Sequence, residues 1–247
     1  MIVNSYLKEP NPSIWKALDW HPSDQQLKKL ITLQELLKGF NQKLNLTRLV
    51  NGDDYWITQV FDSIWPIKSE LSQPSIKRSI IDVGSGCGFP GLAIAIALPG
   101  AQLTLVEAIN KKQEVLKSIV DELELSSRVS IRHERIELTG QNQKFRGMFD
   151  IAMARAVSKD SVVAEYLIPL IKDQGQAILF KGKFDSIDKE NLNKALYLLK
   201  AQIKSINSIQ LPLNRGERHN VRISPIDKCP KMYPRAIGIP KKKPLSQ

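Results

Sequence analysis

The sequence predicts an α/β fold, a mostly parallel sheet joined by crossover helices, on three observations. From about residue 76 short β-branched runs alternate with helical stretches, the pattern of βαβ units. The apolar run 79–83 leads directly into Gly84, Gly86, Gly88 and Gly91, where residues without Cβ allow a tight turn and close approach of a ligand to the backbone. Glu107 closes the next apolar run, 102–106, at the place where such sheets grip ribose hydroxyls.

Along the chain, residues 1 to about 70 read as a helical cap. Ser23 and Gln26 offer a capping box, after which Leu27, Leu30, Ile31, Leu33, Leu36, Leu37, Phe40 and Leu44 recur at helical spacing. Trp15, Trp20, Trp56 and Trp65 all fall in this region, and burial between cap and neighbour is favoured over base stacking. A core over 71–225 follows, with strands expected at 79–83, 102–107, 129–133, 149–155 and 176–181. Helices are expected at 91–98, 111–125, 161–171 and 185–204. Two last strands, near 206–211 and 219–225, predict a terminal antiparallel hairpin. Residues 226–247 form a basic extension whose Pro and Gly content suggests an extended path over the surface.

Charge is concentrated rather than spread. The net charge is +11, and the last 33 residues carry +7 of it: nine Lys/Arg from Arg215 to Lys243 against Glu217 and Asp227. A basic patch of this kind suits phosphates, with a solubilising tail as the plainer reading. Two cysteines and three scattered histidines exclude a disulfide framework and predict no metal site. Asn45-Leu46-Thr47 fits a glycosylation sequon by chance only, since the start of the chain shows no secretory pattern and no apolar stretch nears the roughly 20 residues of a membrane span. A cytoplasmic protein without a membrane partner is expected, and a monomer is the default.

Two cofactors compete for the loop. Gly86-Cys87-Gly88-Phe89-Pro90-Gly91 fits the dinucleotide fingerprint, but the strand ends at Gly84, two residues before it, and Asp82 would repel a pyrophosphate. A carboxylate suits a cationic ligand end, and an acidic strand end followed by G-x-G-x-G resembles the first motif of class I S-adenosylmethionine-dependent methyltransferases.

The resemblance extends further. Asn41-Gln42-Lys43-Leu44-Asn45-Leu46-Thr47, Phe61-Asp62-Ser63, the segment 82–91, Ala154-Arg155-Ala156 and Lys181-Gly182, in that order, resemble the glucose-inhibited division protein B family, bacterial guanine-N7 methyltransferases of small-subunit (16S) ribosomal RNA. The likeness runs from the first long helix to Tyr233-Pro234-Arg235. It implies a Rossmann-like fold, S-adenosylmethionine as cofactor and 16S rRNA, within the small ribosomal subunit, as partner.

Carried over by motif, the cofactor contacts would be Gly84, Phe89, Glu107, Ala108, Ile109, Ile136, Glu137 and Arg155. Arg155 is also the one catalytic candidate, able to hold a carboxylate, a phosphate or the target base; structurally it could instead pair with Asp150 or Glu137. The family's usual histidine before Asp-Ser is replaced here, in Gln59-Val60-Phe61-Asp62-Ser63, so no proton transfer is expected there.

Absent motifs narrow the chemistry. The fourth strand ends in Met153-Ala154-Arg155-Ala156-Val157 and lacks the Asn/Asp-Pro-Pro-aromatic motif of adenine-amino methylation. Carbon methylation needs a thiolate, whereas Cys87 reads as a small filler and Cys229 lies in the tail. Guanine N7 has an in-plane lone pair and no proton, so alignment suffices. Lys181, Lys183, Arg215, Arg218, Arg222 and Arg235 are the candidates for RNA phosphates around the pocket. Two other readings stay open: methylation of a protein or small molecule, and a catalytically silent RNA- or NAD-binding protein.

Overall fold

The computed structural model describes residues 10, 12–44 and 46–246. Its N-terminal helices are α1 (Pro12–Leu18), α2 (Asp24–Leu44), α3 (Gly52–Tyr55), α4 (Asp62–Ile64) and α5 (Lys68–Leu71), with a π-helical stretch, Trp56–Phe61, between α3 and α4. The capping box forms as expected: the Ser23 amide donates to Gln26 Oε1 at 2.9 Å and the Gln26 amide to Ser23 Oγ at 3.3 Å.

The sheet alternates with the remaining helices. β1 (Ser79–Val83), α6 (Gly91–Ala97), β2 (Gln102–Val106), α7 (Asn110–Glu122), β3 (Val129–Arg132), α8 (Ile136–Gln141), β4 (Phe149–Arg155), α9 (Asp160–Leu167) and β5 (Ile171–Lys181) come first. α10 (Ser186–Leu199), β6 (Ala201–Gln210), β7 (Glu217–Pro225) and α11 (Ile239–Lys242) follow. The strand order is β3-β2-β1-β4-β5-β7-β6; β1 to β5 run parallel, and β7 pairs antiparallel with both β5 and β6. The order reverses between β1 and β4, which is where open α/β sheets bind ligands at their carboxyl ends.

Strand alternation divides the core between two faces. Ile80, Leu103, Ile151, Met153, Ile178 and Phe180 join α6, α7 and the cap residues Leu30, Leu33 and Leu37 in one cluster, which also holds all four tryptophans. Trp15 meets Trp20 and Trp56 edge-on, with ring centroids 5.5 and 6.0 Å apart. These rings are core, and none is displayed for base stacking. Ile81, Val83, Val106, Ala152, Ala154 and Leu179 face the other way, onto α9 and α10.

The largest differences from expectation are three. β5 starts at Ile171 rather than 176, because the polar stretch before Gln176 is nevertheless in the strand. α10 stops at Leu199, where Lys200 adopts the left-handed conformation (φ 58°), so β6 begins at 201, inside the expected helix. The short α8 has no counterpart among the expected helices. Among the described residues no helix is long and apolar enough to cross a membrane, and no group of three or more His, Cys, Asp or Glu is placed to hold a metal ion.

Candidate active site

Two adjoining cavities open at the carboxyl ends of the parallel strands. The smaller, about 130 Å³, is lined by Val83, Gly84, Glu107, Ala108, Ile109, Ile136, Glu137 and their neighbours. Its base is the glycine loop. Gly84 has φ +73°, and a Cβ there would lie 2.7 Å from Val157 Cγ2, so only glycine fits. The Gly84 and Ser85 amides donate to the Val106 carbonyl (2.9 and 3.1 Å), which ties the loop to the end of β2.

Asp82, fully buried, accepts from the Gly91 amide at 3.0 Å through Oδ2, while Oδ1 has no partner. Burial pushes its pKa up to about 7, with the Gly91 and Ser85 hydrogen bonds opposing. The carboxylate expected to face a cationic ligand end therefore faces the loop instead: it holds the start of α6 and is shut off from the cavity.

Glu107 is positioned by its own surroundings. Oε2 accepts from the Gly86 amide at 2.9 Å and Oε1 from the Ile109 amide at 2.8 Å. Each oxygen retains a second lone pair, so a vicinal diol can still be accepted by the buried carboxylate. Ile136 offers an apolar wall, 9% exposed, and Glu137 is held through Oε1 by the Tyr166 hydroxyl (3.3 Å) and the Gly238 amide (3.0 Å). A glycine cradle that a Cβ would fill, a buried diol acceptor and an apolar slot fit S-adenosylmethionine. Phe89 lies apart from this wall: it is buried, packs edge-on against Tyr55 and sits below the Arg155 guanidinium, 5.7 Å from ring centroid to Cζ.

The larger cavity, about 590 Å³, shares Val157 with the first and lies between β4, β5 and the cap. Arg155 is at its centre. Nη1 donates to the Thr58 carbonyl at 3.2 Å and approaches Asp62 Oδ2 at 3.4 Å, and Nη2 donates to Gln59 Oε1. Gln59 in turn donates to Thr47 Oγ1 at 3.2 Å, and the Thr47 amide donates to Asn41 Oδ1 at 3.0 Å. Three sequence motifs far apart in the chain thus meet at one guanidinium. Asn45 of the first motif lies outside the described residues.

The pairing expected for Arg155 was different. Asp150 stands at the opposite end of β4 and takes Lys172 at 2.7 Å, and Glu137 is held on the other side of the sheet, so neither can reach Arg155.

Of the candidate phosphate ligands, Lys181, Lys183 and Arg218 line the large cavity. Lys181 is paired with Asp160 at 2.8 Å, Arg218 approaches Asp62 at 3.6 Å and Lys183 is exposed. The other three do not ring the pocket. Arg215 pairs with Asp54 of the cap. Arg222, with both ends of its guanidinium on Glu70 (3.0 and 3.1 Å) and one on Gln176, joins the cap to the sheet. Arg235 is locked onto Glu165.

The cavity also holds residues that no sequence pattern singled out, Thr58 and Asp160 among them; Asp62 was visible only as the middle of the Phe61-Asp62-Ser63 motif. Burial raises the pKa of both carboxylates against the nearby cations: Arg155 and Arg218 for Asp62, Lys181 for Asp160. Burial also raises the thiol pKa of Cys87, and that of Cys229 to about 11, so neither offers a thiolate.

Residues 26–220 match the family model GidB, rRNA small subunit methyltransferase G. Ribosomal RNA small subunit methyltransferase G of Prochlorococcus marinus (strain MIT 9303) is 53% identical over 236 residues, 96% of each chain. The protein of that name from Synechococcus sp. (strain CC9902) is 51% identical, over 96% of this chain and 97% of its own. In fold, the chain resembles the O-methyltransferase from Bacillus cereus in complex with SAH (TM-score 0.57, 17% identity, 86% of this chain and 94% of that one). It also resembles M. jannaschii TYW2 in complex with AdoMet (TM-score 0.51, 12% identity, 67% and 77%). With the family matched over most of its length and a pocket that fits the methyl donor, this chain belongs to the GidB family of S-adenosylmethionine-dependent rRNA small subunit methyltransferases.

Proposed function

We propose that the protein methylates N7 of a guanine in 16S rRNA, presented by the small ribosomal subunit in the cytoplasm, and that it works as a monomer. The observation that carries this reading is the composition of the larger cavity: cations at floor and rim, carboxylates already ion-paired, and no thiol on its walls. The carboxylates that could take a proton from an acceptor, Asp62 and Asp160, are each engaged by a cation, and the cavity offers no thiol to attack a ring. Guanine N7 needs neither.

S-adenosylmethionine, when bound, supplies a methyl group on its sulfonium. Gly84 admits the cofactor close to the backbone, Glu107 accepts its ribose hydroxyls, Ile136 covers its base, and Ala108, Ile109 and Glu137 complete the wall. Arg155 is held on three sides by Thr58, Gln59 and Asp62. From that position it donates to guanine O6 or to an adjacent phosphate, which fixes the base in its plane and leaves the N7 lone pair free. Because N7 in an RNA duplex faces a deep, narrow groove, the target base is splayed out of any helix. Lys183 and Arg218 at the rim meet backbone phosphates.

The test is methyl transfer from radiolabelled S-adenosylmethionine to small subunits isolated from cells lacking this enzyme, with nucleosides identified by mass spectrometry. N7-methylguanosine in stoichiometric yield is expected. No incorporation, despite measurable cofactor binding, would overturn the assignment.

A further inference from the structure

The family model ends at residue 220, yet the chain beyond it closes one side of the smaller cavity. After β7 the chain crosses α8 and α9, the two helices behind that cavity. Arg146 gathers the turn by donating to the carbonyls of Cys229 (2.7 Å), Pro230 (2.8 Å) and Tyr233. Pro234 then packs on α8 so tightly that a Cβ on Gly140 would lie 2.6 Å from Pro234 Cγ, and Gln141 donates to the Pro234 carbonyl at 3.1 Å.

Arg235 next meets Glu165, whose side chain has no exposure. Nη2 reaches Oε2 at 2.6 Å, while Nε and the backbone amide both reach Oε1 at 2.9 Å. A carboxylate buried this deeply is strongly unfavourable unless paired, so Glu165 selects the docked tail. Three residues on, the Gly238 amide donates to Glu137 Oε1, and Lys241 comes to line the cavity. Both hydrogen bonds to Glu137 fall on Oε1, so Oε2 keeps its lone pairs for a ligand donor. Tyr233, Pro234, Pro240 and Pro244 are buried, which a merely solubilising tail would not be.

We propose that residues 233–242 are a built wall of the cofactor pocket, in which Gly238 positions Glu137, Lys241 borders the bound adenosine and the Arg235–Glu165 pair locks the segment in place. The proposal rests on the assignment of the smaller cavity to S-adenosylmethionine. Arg235 and Gly238 are positioning residues, acting through Glu137.

Calorimetric binding of S-adenosylhomocysteine and hydrogen exchange of the same protein test it together. In the wild type, the ligand should slow exchange of the amides at 233–242 as well as 136–141. Arg235→Ala should weaken binding by about tenfold, equivalent to roughly 1.4 kcal/mol. Arg128→Ala breaks half-buried hydrogen bonds to the Ala95 and Ala101 carbonyls on the opposite face and should lower Tm while leaving Kd within about twofold, since contacts that far from the pocket are not coupled to it. An Arg235→Ala protein that binds as the wild type does would reduce the tail to a cover and overturn the proposal. If that variant does not fold, wild-type exchange decides: tail amides indifferent to ligand sink the proposal, and ligand protection upholds it. A wild type that fails to bind S-adenosylhomocysteine at all would instead refute the cofactor assignment.

Discussion

The two halves of the site are made differently. The strand-end side of the smaller cavity is built mainly from backbone at the ends of β1, β2 and β3, where Glu107 is held by the Ile109 amide two residues on and by the Gly86 amide in the loop after the neighbouring strand. The larger cavity is built from long side chains that bridge the cap and the sheet, with Arg155 reaching 93 to 97 residues back to Thr58, Gln59 and Asp62. Local backbone geometry fixes the strand-end side of the first, and tertiary docking of the cap fixes the second. Mutations should therefore fail in different ways: all at once in the loop, by degrees in the cleft.

The largest effect is expected at Gly84. A β-branched side chain at φ +73°, with Val157 already 2.7 Å from where its Cβ would lie, requires the loop to refold. Gly84→Val should abolish binding of S-adenosylhomocysteine in calorimetry while the protein remains folded by circular dichroism. Retained binding would show that the cradle is more plastic than its contacts imply.

Asp82 supplies the next test, through pH. Its folded pKa of about 7 stands above the 3.8 of an unperturbed aspartate. Between those values the native state keeps a proton that the unfolded chain has released. The stabilisation from that proton, on the order of 4 kcal/mol at most, is complete below pH 3.8 and is lost as pH rises through about 7. Asp82→Asn cannot titrate, so the Tm of the wild type relative to this variant should fall steadily from pH 4 to pH 7. A constant difference across that range would place the carboxylate in a more polar setting than its burial indicates.

The same contrast governs what could be read in the sequence. The strand–glycine–helix segment, Glu107 and the order of β1 to β4 were legible because each is a local pattern with a local cause. The end of α10 was not, since Leu198, Leu199, Ile203 and Ile206 continue an apolar spacing across Lys200, and nothing local announces that Lys200 turns left-handed. The first residues of β5 were hidden by their polarity. In the cleft, Arg155 could be named from its motif, but not its partners: Asp150 and Glu137 stand much nearer to it in sequence than Asp62 does. Arg222 and Arg235 looked like part of a phosphate-binding patch because net charge says nothing of the carboxylates, Glu70 and Glu165, that meet them in the fold.

Within the cleft, Arg155→Ala should reduce kcat on the order of 100-fold, as expected for loss of a preorganised donor worth about 2.7 kcal/mol. The accompanying change in affinity for S-adenosylhomocysteine locates the residue: a loss below about threefold places Arg155 on the RNA side, and one of about tenfold places it on the cofactor carboxylate. Arg155→Lys keeps the charge but loses the fork that spans Gln59 and Thr58, and should recover little of the rate.

Gln59→Leu isolates the bridge itself and should have the smallest effect. It removes one hydrogen bond from the guanidinium and the link to Thr47, but leaves Asp62 and the Thr58 carbonyl in place. A hydrogen bond to a charged group contributes about 1.5–3 kcal/mol, and with two other acceptors still holding the guanidinium the lower end applies, so kcat should fall roughly tenfold. Because Gln59 does not titrate, the pH profile of kcat should keep its shape from about pH 6 to pH 9. Gln59→His, which puts a titratable ring at the same position, sharpens the point: a new inflection near the histidine range of about 6.5 would show that proton transfer can be added at this position. An unchanged profile would show that the position serves to hold Arg155 still, whichever of the two residues occupies it.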